Sequence, residues 1–314
     1  MTTALIFPGQ GSQAVGMGQA LAENFAAARA VFEEVDDALN QHLSKIMFEG
    51  PEADLTATEN TQPAIMACSI AALRVMEAEM GFKVADAASF VAGHSLGEYA
   101  ALTAAGTFTL ADAAKLLRIR GEAMQAAVPA GEGAMAAIIG PSFDEVQAIA
   151  NEANGEGEIC EVANYNNDQQ IVLSGSAKGI ERAIEIAKEK GAKRAVPLAV
   201  SAPFHCSLMQ PAAERMAQAL ADADVKAPCV PVVANVNAQA VSDAATIRDL
   251  LVQQVTSMVK WRESVSYMKD QGVDRMIEIG HGNVLSGLVK RIDRDIVTVN
   301  ISQPADLDGF AKAA

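Results

Sequence analysis

The segment Gly93-His94-Ser95-Leu96-Gly97 restricts the fold more than any other part of this chain. The apolar run at 88–92 before it is typical of a buried strand, and residues 98–105 after it follow a helical pattern. Glycines allow a sharp turn where a side chain would clash. A G-x-S-x-G between a strand and a helix predicts a tight turn that holds the Ser95 hydroxyl above a sheet, at a helix N-terminus.

Apolar strands and helices alternate along most of the chain. The segment at 62–79 carries apolar residues at helical spacing and ends before Gly81. Outside residues 128–201, strands are predicted at 4–7, 88–92, 230–235, 276–279 and 296–299. This alternation is typical of an α/β protein with a mainly parallel sheet that helices cover on both faces.

Residues 128–201 have a different order of elements. Strands are predicted at 134–139, 159–164, 170–174 and 193–198, with helices at 143–153 and 177–190. This βαββαβ order is the ferredoxin-like arrangement, whose two ends lie close together. We therefore expect a discontinuous core domain, 1–127 and 202–314, and an inserted ferredoxin-like subdomain, 128–201.

The composition restricts the partners and the compartment. Among 314 residues, 24 Lys+Arg and 39 Asp+Glu give a formal charge of −15, so neither nucleic acid nor a membrane surface is expected as a partner. No cationic start of a secretory signal and no run of ~18 apolar residues is present. The four cysteines form no C-x-x-C pair, as is typical of a reducing compartment. We expect a cytoplasmic monomer without a metal site.

Ser95 is the candidate nucleophile and His205 the candidate base. At a helix N-terminus, the dipole and the N–H of Leu96 could stabilise an oxyanion formed when Ser95 attacks a carbonyl. His205 lies on a Pro-containing loop where the chain re-enters the core domain. His94 is interpreted as structural support. A dyad of His205 with Cys206 is disfavoured, because neighbouring residues in an extended loop project in opposite directions.

No acidic third member of a triad is evident between the candidate nucleophile and the candidate base. That interval holds mainly the inserted subdomain, whose acidic residues are interpreted as solvent-facing. A backbone carbonyl could instead orient the imidazole, since that role is to fix the tautomer and the direction of the ring.

The loop at 9–14 and Arg120 each allow two interpretations. The loop at 9–14 matches G-x-G-x-x-A, a weak dinucleotide-binding fingerprint, but it could also present the N–H of Gln10 to the oxyanion. The acids Glu33 and Glu34, at about the distance expected of the ribose-binding acid, fall within a helical pattern. Arg120 is either a surface arginine or a guanidinium fork for a substrate carboxylate.

Together these residues resemble the malonyl-CoA:acyl carrier protein transacylases of fatty-acid synthesis, along essentially the whole chain. The resemblance rests on Phe7-Pro8-Gly9-Gln10-Gly11-Ser12-Gln13, Gly93-His94-Ser95-Leu96-Gly97-Glu98-Tyr99, Arg120-Gly121, Gly133-Ala134-Met135-Ala136-Ala137-Ile138 and Pro203-Phe204-His205. It implies an α/β-hydrolase-like core with an inserted ferredoxin-like subdomain.

The resemblance also implies roles for single residues. Ser95 would be the acylated nucleophile, His205 its base, the N–H groups of Gln10 and Leu96 the oxyanion hole, and Arg120 the ligand of the malonyl carboxylate. A main-chain carbonyl near Gln254 would orient His205, and Phe204 would favour malonyl over bulkier acyl groups. The reaction would be a ping-pong transfer from malonyl-CoA to acyl carrier protein, with no cofactor apart from the coenzyme A thioester substrate.

Three other functions stay open from the residues alone. A serine esterase or thioesterase would share the nucleophile and pass the acyl group to water. A non-catalytic acyl-carrier docking module would be expected to lack Ser95, His205 or Arg120, and a dinucleotide-binding oxidoreductase would use the loop at 9–14. Cations are expected near the site, because both partners that the resemblance implies, coenzyme A and acyl carrier protein, are anionic. The candidates are Lys188, Lys190, Lys193, Arg194, Lys260, Arg262, Lys290 and Arg291.

Overall fold

Two β-sheets organise the chain in the computed structural model, which describes residues 1–155 and 157–313. The strands are β1 (Thr3–Phe7), β2 (Phe90–Gly93), β3 (Gly133–Ile139), β4 (Cys160–Asn167), β5 (Gln170–Ser176), β6 (Arg194–Pro197), β7 (Val232–Val233), β8 (Ala240–Val241), β9 (Arg275–Ile279) and β10 (Val297–Ile301).

Helices surround both sheets. They are α1 (Gln19–Asn24), α2 (Ala26–Leu39), α3 (Leu43–Glu49), α4 (Glu52–Thr56), α5 (Thr58–Met80), α6 (Val84–Ala87), α7 (Gly97–Ala104), α8 (Leu110–Ala127), α9 (Phe143–Ala153), α10 (Ala177–Glu189), α11 (Gln210–Asp222), α12 (Ala244–Gln254), α13 (Trp261–Asp270), α14 (Val284–Ile292) and α15 (Pro304–Ala313), with a 3-10 turn at Ser207–Met209. Within the described residues, no helix is long and apolar enough to cross a membrane.

The larger sheet has the strand order β10-β9-β1-β2-β7-β8. Its strands pair in parallel except β8, which is antiparallel to β7. Every residue of the central strand β1 is buried, as a strand covered by helices on both faces requires. The predicted α/β class with a mainly parallel sheet is confirmed. The predicted strand at 230–235 is only two residues long, and Pro231 before it has no N–H to donate to a neighbouring strand.

The turn from β2 into α7 depends on glycine. A Cβ on Gly93 would lie 1.9 Å from the carbonyl oxygen of Gly97, and a Cβ on Gly97 would lie 2.2 Å from that of Phe7. Between these glycines Ser95 has a φ of 54°, the left-handed region that a side chain rarely adopts. The sharp turn predicted from G-x-S-x-G is therefore present, packed directly against the end of β1.

The smaller sheet lies within the inserted subdomain and has the order β4-β5-β3-β6, with antiparallel pairs. Helices α9 and α10 pack on it around a separate apolar cluster that includes Ile138, Ile149 and Leu173. The βαββαβ order predicted from the sequence is confirmed. The limits 128 and 201 stay a prediction, since the elements themselves run from Gly133 to Pro197.

The inserted subdomain is joined to the core domain by backbone contacts that the sequence does not reveal. Val259, between α12 and α13, donates its N–H to Ala163 (2.8 Å) and accepts from the N–H of Tyr165 (3.0 Å). On another side, Ser207 donates its N–H to a carboxylate oxygen of Glu161 (2.9 Å). These contacts fix β4 beside the carboxyl end of the larger sheet, where the site lies.

Candidate active site

Ser95 and His205 meet at the carboxyl edge of the larger sheet. The Ser95 Oγ lies 2.7 Å from His205 Nε2, although the residues are 110 positions apart. The backbone of His205 has a φ of 60°, so both side chains project from left-handed positions. Such strained residues cluster at functional sites, where the surrounding structure must hold them.

The imidazole of His205 is held in one orientation by the main chain. Its Nδ1 lies 2.8 Å from the backbone carbonyl oxygen of Gln254, so Nδ1 carries the hydrogen and Nε2 faces the Ser95 hydroxyl as an acceptor. Burial, followed by the nearby positive charge of Arg120, lowers the pKa of His205 to about 3. The ring is therefore neutral at physiological pH, as a general base must be before the reaction.

Arg120 is buried beside Ser95, with only 1 % of its surface exposed. Its guanidinium donates to the side-chain oxygens of Gln62 (2.7 Å) and Gln254 (2.9 Å), and to Ser95 Oγ (3.2 Å). Its Nε has no acceptor among the described residues, and the Tyr99 ring centre lies 5.8 Å from its carbon Cζ. The surface-arginine reading is wrong, because the residue lies on the inner face of α8.

The backbone N–H groups of Gln10 and Leu96 have no acceptor in the described part of the chain. The loop that carries Gln10 approaches the turn closely, since a Cβ on Gly9 would lie 2.5 Å from the carbonyl oxygen of His94. By contrast, the N–H of Ser95 is already bonded to Asn235 Oδ1 (2.7 Å). A free donor at the N-terminus of α7 and another in the loop after β1 fit the oxyanion role, which stays a prediction.

Several side chains of the site were not found from the sequence. Asn235 accepts from Ser95 and donates to the Gly93 carbonyl (2.7 Å), and Glu98 lies buried beneath the turn. Burial raises the pKa of Glu98 to about 7, although the hydrogen bonds from Asn235 and Gln254 and the positive charge of Arg120 each lower it. Asn235 follows a strand adjacent to β2, and the carboxyl ends of parallel strands meet at one edge, a signal that could have identified it.

A cavity of about 590 Å³ leads to the Ser95 hydroxyl. Its apolar lining includes Met135, Val172, Leu198, Val200, Phe204 and Leu288. On its polar side, His94 Nε2 lies 2.9 Å from Asn166 Oδ1, and burial lowers the pKa of His94. The volume lies in the range of pockets that bind small organic molecules. Phe204 lines the wall, where its expected preference for malonyl stays a prediction.

Two other titratable side chains, Cys206 and His281, are bonded to backbone carbonyl oxygens. Cys206 lies 3.1 Å from the Pro203 carbonyl oxygen, to which it donates, and burial raises the pKa of its thiol to about 11. His281 Nδ1 lies 2.9 Å from the carbonyl oxygen of Ser12. The described residues contain no group of three or more side chains that could hold a metal ion.

The fold and the site define an acyltransferase: residues 4–303 match the family described as the acyl transferase domain, and the chain belongs to that family. Within it, the chain belongs to the malonyl CoA-acyl carrier protein transacylases. The Bacillus subtilis (strain 168) protein of that name is 47% identical over 305 residues, which cover 97% of this chain and 95% of the relative.

Solved structures agree along the whole chain. The acyl-carrier-protein-S-malonyltransferase from Bartonella henselae is 54% identical with a TM-score of 0.97, covering 100% of this chain and 99% of that one. A malonyl-transacylase in complex with its type II PKS acyl-carrier protein is 41% identical with a TM-score of 0.96, and the match covers 100% of each chain.

Proposed function

We propose that this protein transfers the malonyl group from malonyl-CoA to the phosphopantetheine thiol of acyl carrier protein, and so supplies fatty-acid biosynthesis. The observation that carries the proposal is the position of Ser95 Oγ, 2.7 Å from the imidazole of His205 and 3.2 Å from the guanidinium of Arg120. A nucleophile, a base and a ligand for a carboxylate are thereby brought to one point.

In the first half-reaction, Ser95 Oγ attacks the thioester carbonyl while His205 Nε2 takes the hydroxyl proton. The oxyanion accepts hydrogen bonds from the N–H groups of Gln10 and Leu96. As the carbon–sulfur bond breaks, His205 returns the proton to the leaving thiolate, and free CoA departs. The malonyl group stays on Ser95 as an ester, with its carboxylate on Arg120.

In the second half-reaction, the thiol of the carrier protein replaces CoA. His205 takes the thiol proton, the sulfur attacks the ester carbonyl, and Ser95 leaves with the proton that His205 returns. The backbone carbonyl of Gln254 keeps the imidazole in one tautomer through both halves, in place of an acidic residue. The side chains present supply each required group, so we propose that no separate cofactor takes part.

The buried Arg120 favours transfer over the rival functions. A docking module has no need of a nucleophile paired with a base, and a general esterase has no need of a buried cation beside its nucleophile. The hypothesis of dinucleotide binding is disfavoured because the loop at 9–14 does not lead directly into a helix; α1 begins only at Gln19.

We further propose that the protein works as a cytoplasmic monomer.

The cations proposed for attracting anionic partners differ in their surroundings. Lys190 is paired with Glu152 (2.6 Å) and Arg262 with Asp168 (2.9 Å), so their charges are partly neutralised. Arg291 lines the cavity itself. We propose that Arg291, with Lys193 and Arg194 on the inserted subdomain, contributes most to holding the phosphate groups of the pantetheine-bearing partners.

Mass spectrometry after incubation with malonyl-CoA tests the function. We expect a malonyl adduct on Ser95 that disappears when pantetheinylated carrier protein is added and appears on that protein. Ser95→Ala is the matched control and should carry no adduct. Loss of the adduct to water at the same rate, with or without carrier protein, would identify a hydrolase instead.

A further inference from the structure

Glu98 is buried at the base of the site, with 2 % of its surface exposed, yet no step of the proposed reaction uses it. One of its oxygens, Oε2, accepts two hydrogen bonds: from the backbone N–H of Asn235 (3.0 Å) and from Nε2 of Gln254 (2.8 Å). A buried carboxylate is costly unless donors compensate it. These two donors, Asn235 and Gln254, contact different parts of the reaction site.

The first donor, Asn235, contacts the turn that carries the nucleophile. Asn235 bonds the N–H of Ser95 and the carbonyl of Gly93 through its side chain, so it closes the strained turn at two points. Because Glu98 holds the backbone of the same asparagine, the carboxylate and the turn are connected through one residue.

The second donor leads to the carboxylate ligand and to the base. Oε1 of Gln254 accepts from Arg120, its Nε2 donates to Glu98, and its backbone carbonyl accepts from His205. The side-chain amide of Gln254 therefore lies between the buried guanidinium of Arg120 and the buried carboxyl group of Glu98. Only one orientation of that amide satisfies its contacts, with the oxygen towards Arg120 and the nitrogen towards Glu98 and, at 3.1 Å, the backbone carbonyl oxygen of Ser95.

We infer that Glu98 is a positioning residue for malonyl transfer: its carboxylate fixes the orientation of the Gln254 amide and thereby places Arg120 beside the nucleophile. The inference rests on the proposed function, because it concerns the grip on the acyl carboxylate. An uncharged amide at position 98 both donates and accepts, so Gln254 could turn over, present its NH₂ to Arg120 and displace the guanidinium.

The variant Glu98→Gln tests this above pH 7, where the Glu98 carboxylate is ionised, because it keeps the shape of the side chain and removes the charge. An acetyl group has no carboxylate for Arg120 to bind. A comparison of malonyl-CoA with acetyl-CoA therefore separates the loss of carboxylate binding from damage to the turn at Ser95. We expect kcat/KM with malonyl-CoA to fall about 100-fold and that with acetyl-CoA about 10-fold, a ratio loss of about tenfold. An equal fall for both donors, or a higher ratio, overturns the inference.

Glu278→Gln is the matched control. Glu278 is also fully buried and accepts three hydrogen bonds, from the N–H groups of Leu285 (3.0 Å) and Ser286 (2.7 Å) and from the side chain of Asn300 (3.0 Å). It has no hydrogen bond to Gln254 or Arg120 among the described residues. Its loss should leave the malonyl-to-acetyl ratio unchanged; a ratio that falls as far as in Glu98→Gln would overturn the inference.

A crystal structure of Glu98→Gln separates this inference from the proposed function. The guanidinium of Arg120 should move away from Ser95 Oγ, from which it now lies 3.2 Å away. If the wild-type protein transfers no malonyl group, the proposed function fails, and the position of Arg120 still decides the role of Glu98. An unmoved guanidinium in this variant overturns that role.

Discussion

The core domain and the inserted subdomain contribute to the site in different ways. Ser95, His205 and Arg120 all belong to the core domain, as do the residues that hold them. The inserted subdomain presents uncharged groups to the same cavity, such as Asn164, Asn166 and Val172. Charged and strained groups need rigid neighbours, which the core supplies. The smaller sheet, with its own apolar cluster, shapes the space in front of them.

Arg120→Ala should produce the largest effect that this comparison predicts. With the guanidinium removed, kcat/KM for malonyl-CoA should fall about 10²–10³-fold, and that for acetyl-CoA much less. Arg118→Ala is the control on the same helix, since Arg118 bonds Gln41 and lies away from Ser95. Unchanged discrimination between the two acyl donors in Arg120→Ala would remove Arg120 from the proposed mechanism.

Two glycine substitutions, one in the core domain and one in the inserted subdomain, test which of the two regions supports the nucleophile. A Cβ on Gly93 in the core or on Gly175 in the inserted subdomain would lie 1.9 Å from a carbonyl oxygen, of Gly97 or of Ile159. Each alanine variant should lose more than about 2 kcal/mol of stability. Only Gly93→Ala should also slow the labelling of Ser95 by a neutral sulfonyl fluoride, by about tenfold. Mass spectrometry below the melting temperature measures the labelling. Equal loss of labelling in both would show that the inserted subdomain also supports the nucleophile.

Acid should destabilise the core through His205. Unfolded histidine titrates at its ordinary value of 6.5, whereas burial holds the pKa of His205 at about 3, so between these values the unfolded chain binds more protons. Stability from this group is complete above pH 6.5 and is lost as the pH falls. Glu98 acts oppositely between 4.5 and about 7, because its raised pKa makes the folded chain bind more protons.

His205→Gln isolates the histidine contribution from that of Glu98. Relative to the wild type, this variant should gain stability as the pH falls from 6.5 to 5, by up to about 1.4 kcal/mol per pH unit. Urea unfolding at several pH values measures the difference. Parallel stability curves would contradict the lowered pKa.

Arg262→Ala should have the smallest effect. Arg262 bonds Asp168 at 2.9 Å and joins the inserted subdomain to α13, but both side chains are partly exposed. An exposed ion pair contributes at most about 1 kcal/mol. We expect a small fall in melting temperature and an unchanged malonyl-to-acetyl ratio; a changed ratio would mean that this contact positions the reaction site.

Elements that depend on local pattern were predictable from the sequence. The turn at Ser95, the βαββαβ order and the mainly parallel sheet follow from periodicity, glycine positions and strand order. The candidate pair Ser95 and His205 was found because a motif marks one residue and a proline-containing loop marks the other. The sequence does not decide whether Arg120 is buried or exposed, since its neighbours in sequence do not show which face of α8 is buried.

The polar network beneath the site was not predictable. Glu98 meets Asn235 and Gln254 across 137 and 156 positions, and no local pattern encodes contacts of that kind. The bridge between Asn164 and Val259 is another long-range contact, made by a residue outside any named strand. Packing of separate segments decides such contacts, so they become visible only with the fold.

The partner of the His205 ring has a consequence for tolerance to mutation. Every amino acid has a backbone carbonyl, so no single substitution at position 254 can delete the oxygen that accepts from His205 Nδ1. An enzyme that relies on an aspartate side chain there loses that partner by one codon change. A substitution at position 254 can alter the side-chain contact with Arg120 and still leave the acceptor of the His205 ring in place. Under the proposed mechanism, acyl selectivity and proton transfer would then change separately at one residue.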